Sequence, residues 1–259
     1  MRTFDANGAA LSYASLGAAP DQAPLQLFWA HGWGQDHRAF LPMATALQGM
    51  GSHILFDFPG FGHSPQPEQV WGTADYADAA ASFLASLPRG RRIWIGHSFG
   101  CRVGLQLAAR HPDLVDGLFL IAAAGLPRPR TLTQQAQIKS RVWTFKLLKA
   151  LPKFGVDTAA AREKFGSADY RAAGEMRPIF VKVVSENLSE VARQVQVPVQ
   201  LVYGALDDDT PPAIGEMFAK LIPKAELTVL PRFNHYTILT EGAHQVQHQL
   251  GRFVSRIAP

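Results

Sequence analysis

The sequence predicts an α/β protein: a mostly parallel, eight-stranded sheet flanked by helices, with a helical segment inserted late in the chain. Three observations predict it. Apolar runs of strand length alternate with stretches of helix length. One of those runs, Ile93-Trp94-Ile95, ends on Gly96-His97-Ser98-Phe99-Gly100. Between Ala122 and Val199, about 75 residues carry no strand of comparable strength, too long for an unstructured loop in a compact domain.

The first element is a hairpin. Thr3-Phe4-Asp5 pairs with Ala10-Leu11-Ser12-Tyr13 around Asn7-Gly8, a turn dipeptide that favours positive φ. Six apolar runs follow: Leu25 to Ala30, His53 to Phe56, Ile93 to Ile95, Leu118 to Ala122, Val199 to Tyr203 and Leu227 to Leu230. Several are apolar almost throughout, as expected of strands covered on both faces. Helices are expected over 38–48, 74–86, 99–110, 214–221 and 241–257. A hairpin followed by alternating strands and helices argues for a parallel sheet with helices on both sides. In the long interval, 133–151, 159–164 and 176–188 read as helices, punctuated by Pro127, Pro129, Pro152 and Pro178. The expected organisation is a core of residues 1–125 and 195–259, with residues 126–194 inserted as a helical cap.

At 259 residues, 47% hydrophobic and 18% charged, the chain has the composition of a folded globular protein and not a disordered one. The start, Met1-Arg2-Thr3-Phe4-Asp5, lacks the apolar stretch of a signal peptide, and no run approaches the roughly 18 apolar residues of a membrane span. One cysteine, Cys101, excludes an internal disulfide framework. These features predict a cytoplasmic protein without stable membrane insertion. The net charge is +4, but residues 128–193 carry 13 Lys/Arg against 6 Asp/Glu. These basic residues are scattered rather than clustered with aromatics, which argues against nucleic-acid binding and for a solvated helical surface. The sequence leaves the oligomeric state open.

The pentapeptide around Ser98 carries the chemistry. A buried strand that runs through Gly-x-Ser-x-Gly into a helix lifts the serine hydroxyl clear of the sheet on a strained turn. Glycines at 96 and 100 suit positions where strand and helix pack closely. The following helix points its N-terminus at the serine. A serine nucleophile needs a base, an acid that orients it, and donors for an oxyanion. Each has a candidate beyond the end of a strand, where sites form on open parallel sheets. Val199 to Tyr203 leads into Gly204-Ala205-Leu206-Asp207-Asp208-Asp209-Thr210-Pro211. Asp207 is preferred as the acid because it is nearest the strand, with Asp208 and Asp209 as alternatives. Leu227 to Leu230 leads to His235, the candidate base. His37, His53, His97, His111, His244 and His248 read as structural. Leu25 to Ala30 leads into His31-Gly32-Trp33-Gly34, where the Trp33 N–H is the candidate second oxyanion donor beside that of Phe99. His31 is expected to bond to backbone.

These motifs, with Asp57-Phe58-Pro59-Gly60-Phe61-Gly62-His63-Ser64, resemble a capped α/β-hydrolase. That superfamily includes carboxylesterases, lipases, C–C bond hydrolases and cofactor-free haloperoxidases. The resemblance covers nearly the whole core and implies hydrolase chemistry without metal or organic cofactor, acting on a small-molecule substrate. Serine at the elbow argues against the haloalkane dehalogenases and epoxide hydrolases, which carry aspartate there. The expected function is cleavage of a carboxylic ester, or a related acyl bond, of a small to medium apolar substrate. Phe58, Tyr236 and Trp143, with Trp33, Phe99, Phe145 and Phe180, could line the acyl pocket. The alternatives are a C–C hydrolase acting on β-diketone-type substrates with the same three residues, and a ligand receptor of the same fold.

Overall fold

The computed structural model describes residues 1–6, 8–128, 143 and 168–257. Two strands open it, β1 (Arg2–Ala6) and β2 (Ala9–Gly17), paired antiparallel with Ala6 opposite Ala9. The Asp5 carboxylate accepts the Gly8 N–H at 2.7 Å, and Gly8 has φ +90°, as the turn signal required. Six further strands follow: β3 (Leu25–Ala30), β4 (Ser52–Asp57), β5 (Arg91–His97), β6 (Gly117–Ile121), β7 (Val199–Gly204) and β8 (Ala225–Leu230). The spatial order is β1-β2-β4-β3-β5-β6-β7-β8, antiparallel at the hairpin edge and parallel from β4 to β8. The fold is that of an eight-stranded, mostly parallel sheet with helices around it, as the sequence pattern predicts.

Alternate residues of the central strands feed two cores. On one face Phe28, Phe56, Trp94, Leu118, Leu201 and Tyr203 meet α2 (Thr73–Ser86), α3 (Phe99–Arg110) and α7 (Pro212–Leu221). On the other, Trp29, Leu55, Ile93, Phe119 and Val202 meet α1 (Leu41–Ala46) and α8 (Ala243–Ile257). Strands buried on both faces explain why these runs read as continuously apolar.

Two helices differ from expectation. The stretch 38–48 holds only the six-residue α1, flanked by single 3₁₀ turns, because Pro42 lacks an N–H and is accommodated only in a first helical turn. The stretch 176–188 divides into α5 (Arg177–Ser185) and α6 (Ser189–Gln194). At the break Glu186 is extended, and the Asn187 side-chain Oδ1 takes the Ser189 N–H at 3.0 Å and its hydroxyl at 2.6 Å. That local Asx cap offers the chain an alternative to continuing the helix. A shorter helix, α4 (Ala168–Ala172), precedes them. The expected helices at 133–151 and 159–164, with Phe145, lie outside the described residues. No helix among the described residues is long and apolar enough to cross a membrane.

The loop after β4 is organised by one carboxylate. Asp57 is fully buried, with Oδ1 accepting the His37 N–H at 2.7 Å and contacting its Nδ1 at 2.8 Å. Oδ2 does the same for His63, at 2.9 Å each. Gly62 has φ +54°, and a Cβ there would meet this carboxylate at 2.3 Å. Burial alone would raise the Asp57 pKa; the bonds from the two histidine backbones and rings outweigh it and hold it below 3.8. A depressed folded-state pKa gives stability that is present above the ordinary carboxylate value and lost as pH falls through the lower folded value. Asp57→Asn is therefore expected to lower stability by about 2–4 kcal/mol at pH 7 and to weaken the stability loss below about pH 4. Urea midpoints for both proteins between pH 3 and 7 check this.

Candidate active site

Ser98 stands between the last residue of β5 and the first of α3, with φ 48° and ψ −101°. A non-glycine residue there is strained, and its surroundings hold it in place. The Ser98 N–H donates to the Ile121 carbonyl at 3.0 Å, tying the turn to β6. A Cβ at Gly100 would fall 2.0 Å from the Ala30 carbonyl oxygen, and one at Gly96 would fall 2.7 Å from the Cys101 nitrogen. Only glycine at both lets α3 dock this closely. As the first residue of α3, Phe99 has an N–H without an intrahelical acceptor.

The loop after β3 lies alongside. The Gln35 N–H reaches the Gly32 carbonyl at 3.2 Å, and Gly34 at the third turn position has φ +72°, the requirement of a type II turn. The Gly32 N–H is taken by the Gln35 side-chain oxygen at 2.8 Å, while no described residue accepts that of Trp33. His31 bonds to backbone as expected: its Nδ1 is 2.7 Å from the Gly32 carbonyl and its Nε2 accepts the Phe58 N–H at 3.1 Å. Burial pushes its pKa down to about 4, so the ring is neutral at pH 7.

Of the three successive aspartates, Asp207 alone is buried. Its Oδ2 takes the His235 Nδ1–H at 2.8 Å and the Thr210 hydroxyl lies 2.9 Å away. Its Oδ1 accepts the backbone N–H groups of Asp209 at 2.9 Å and Thr210 at 2.7 Å. Burial pushes the Asp207 pKa up, but the His235 bond, the Thr210 bonds and the attraction of His235 together hold it below its ordinary value. Because Nδ1 carries the proton that Asp207 accepts, the lone pair of a neutral His235 is on Nε2. His97 fixes the same loop from β5: its Nε2 donates to the His235 carbonyl at 2.9 Å, and burial pushes its pKa down to about 3. The Asn234 side-chain oxygen caps the following turn, accepting from Tyr236 and Thr237.

Ser98 and His235 wall one cavity of about 460 Å³, shared with Trp33, Phe99, Arg102 and Phe180. That volume is within the usual range of small-molecule sites. Phe180 comes from α5, which lies between β6 and β7 in the chain, so that helix closes part of the wall. Two pocket expectations are corrected. Phe58 is fully buried beneath Phe99, ring centroids 5.7 Å apart, because its backbone is held to His31. Trp143 is 67% exposed and is not among the cavity's lining residues. Tyr236 does line it, though 54% exposed. Sequence reasoning missed Thr210 and Gln35, which act through neighbours. The Asp-x-x-Thr spacing, which suits a side-chain cap, was the available signal for Thr210. Two groups bring possible metal-ligating atoms within 4.8 Å of one another, His37/Asp57/His63 and Asp207/Asp209/His235. In each, the histidine Nδ1 is engaged by the buried carboxylate.

A family model described as the alpha/beta hydrolase fold matches residues 27–153. The chain belongs to the α/β-hydrolase superfamily. It is similar to 2-(acetamidomethylene)succinate hydrolase of Mesorhizobium japonicum, at 27% identity over 82% of each chain. It is also similar to pimeloyl-[acyl-carrier protein] methyl ester esterase of Chromobacterium violaceum, at 28% identity over 87% of this chain and 91% of the relative. Among solved structures, the enol-lactonase from Burkholderia xenovorans LB400 superposes with a TM-score of 0.72 at 22% identity, covering 98% of this hydrolase and 100% of that chain.

Thr210 offers a test of the site's internal wiring. Thr210→Val removes the hydroxyl whose single proton serves either the Ala122 carbonyl, 3.1 Å away, or Asp207 Oδ2, 2.9 Å away, so one buried acceptor loses its donor. The expected loss is about 1–3 kcal/mol of stability by urea unfolding, mostly restored in Thr210→Ser.

Proposed function

We propose that this α/β-hydrolase cleaves a carboxylic ester, or a related acyl bond, with Ser98 as nucleophile, His235 as base and Asp207 as the orienting acid. The observation that carries the reading is the buried Asp207–His235 hydrogen bond, on a histidine that shares its cavity with a serine on a strained strand-to-helix turn. In this mechanism His235 Nε2 takes the hydroxyl proton as Ser98 Oγ attacks the substrate carbonyl. Asp207 keeps the other ring nitrogen protonated and stabilises the imidazolium that forms. The free N–H groups of Trp33 and Phe99 receive the negative charge on the carbonyl oxygen. His235 returns the proton to the leaving group, and water then releases the acyl-enzyme by the same route in reverse.

Trp33, Leu126, Phe180, Val183 and Ile214 give the cavity an apolar wall suited to an acyl chain. Relatives named as methyl ester esterases, aligned over nearly their whole length, favour ester substrates over C–C cleavage. The scheme calls for no metal or organic cofactor.

Hydrolysis of p-nitrophenyl esters from acetyl to dodecanoyl tests the reading. Wild type should turn over one or more of them, Ser98→Ala should lose about 10⁶-fold in kcat, and Asp207→Asn about 10⁴-fold while remaining folded. Wild type no faster than Ser98→Ala on every ester sinks the ester reading and directs attention to β-diketone substrates.

A further inference from the structure

Arg102 lies one turn beyond Ser98 on α3, is only 9% exposed, and lines the cavity. Its Nη1 donates to the carbonyls of Val183 at 2.9 Å and Glu186 at 3.3 Å, at the C-terminal end of α5. No described residue accepts from its Nε or Nη2, and no described carboxylate is paired with it. Glu186 is the carboxylate whose charge acts on it, but that carboxylate is committed to the Thr73 N–H at 2.9 Å and the Thr73 hydroxyl. Burial pushes the Arg102 pKa down to about 10, which leaves the guanidinium charged at neutral pH.

A buried cation with an unused pair of parallel donors is costly to maintain unless an anion completes it. The Nε–Nη2 edge of a guanidinium matches a carboxylate in a two-point fork. Arg102 and Ser98 line the same cavity. Four residues of helix separate the two Cα atoms by about 6 Å along the axis, the scale of a short dicarboxylic acid.

The rest of the cavity sets the direction. Asp169 and Asp209 also line it, and their charges, with that of Asp207, act on Tyr236 beside His235. The acidic side is therefore the His235 side, where the leaving group must depart to receive its proton. Arg128 also lines that side, but it is exposed and donates to the Asp209 carbonyl, so the buried cation left to draw an anionic group is Arg102. Resting on the ester reading above, we propose that Arg102 recognises a carboxylate at the far end of the acyl half, making the preferred substrates mono-esters of dicarboxylic acids.

Monomethyl glutarate, adipate and pimelate, each against the methyl ester of an uncharged acid of similar length, test this by pH-stat at pH 7.5. Wild type should favour the anionic ester by about 10- to 100-fold in kcat/KM, chiefly through KM, and Arg102→Gln should erase the preference. Arg102→Lys should keep part of it, and Arg252→Gln, exposed on α8 and outside the cavity lining, should keep it all. If Arg102 only holds the end of α5, Arg102→Gln lowers both esters equally and the preference survives, which overturns the proposal; so does the absence of any preference in wild type. Should Arg102→Gln not fold, competitive inhibition of wild type by adipate but not by adipamide supports the proposal, and equal inhibition sinks it. If no ester shows Ser98-dependent turnover, the ester reading fails on its own. Carboxylate recognition then stands or falls on whether adipate raises the Tm of wild type but not of Arg102→Gln.

Discussion

The contact on which the rest of the structure depends is the approach of α3 to the sheet at Gly100. The helix sits so close to β3 that a single methyl group there would occupy the Ala30 carbonyl oxygen. That proximity forces the chain to turn sharply between β5 and α3, and Ser98 absorbs the turn in a left-handed conformation. A residue held this way costs about 1–3 kcal/mol, and the buried face of α3, with Val103, Leu105 and Leu107, offsets it. The same docking fixes three things at once: the place of the hydroxyl, a Phe99 N–H with no acceptor among the described residues, and the position of Arg102 one turn along. Replacing either glycine would disturb them together, not one at a time.

Buried charge is handled in two ways. Asp57 and Asp207 are each surrounded by donors, from two histidines in the first case and from His235 and Thr210 in the second, and both are held in the ionised form. A satisfied buried carboxylate of this sort fixes its donors and gives its loop a single conformation. Arg102 is different in kind. Two carbonyls serve one edge of its guanidinium, and among the described residues nothing serves the other. The contrast separates charges that hold the scaffold from one that is left to meet something else.

The strands, the elbow and the three residues proposed for catalysis were legible in the sequence because each leaves a local mark. Strands buried on both faces must be continuously apolar, the elbow must carry glycines, and the acid and base must follow strand ends. The choice among Asp207, Asp208 and Asp209 rested on distance from the strand alone, since adjacent residues have the same composition signal. Burial and the Thr210 donors separate them in the folded chain. Phe58 was misread for a related reason: an aromatic beside a site motif looks the same in sequence whether it faces the cavity or packs under it. Arg102 was not legible at all, because its meaning depends on where α5 ends, more than 80 positions away.

Trp33 joins the two halves of the site. Its backbone is fixed from below, by the turn to Gln35 and, two residues further on, by His37 on Asp57. Its ring is fixed from above, packed edge-on against Phe61 at 4.9 Å and Phe99 at 5.6 Å and tilted against Phe180 at 5.0 Å. Phe180 belongs to α5, the helix whose end Arg102 holds. In the proposed mechanism the N–H that receives the oxyanion and the ring that shapes the acyl wall thus belong to one residue. A shift of α5 against the core would reach Trp33 through the Phe180 ring before it reached Ser98. Substrate fit in the upper wall and charge stabilisation at the carbonyl are therefore coupled by direct contact, without any rearrangement of the elbow itself.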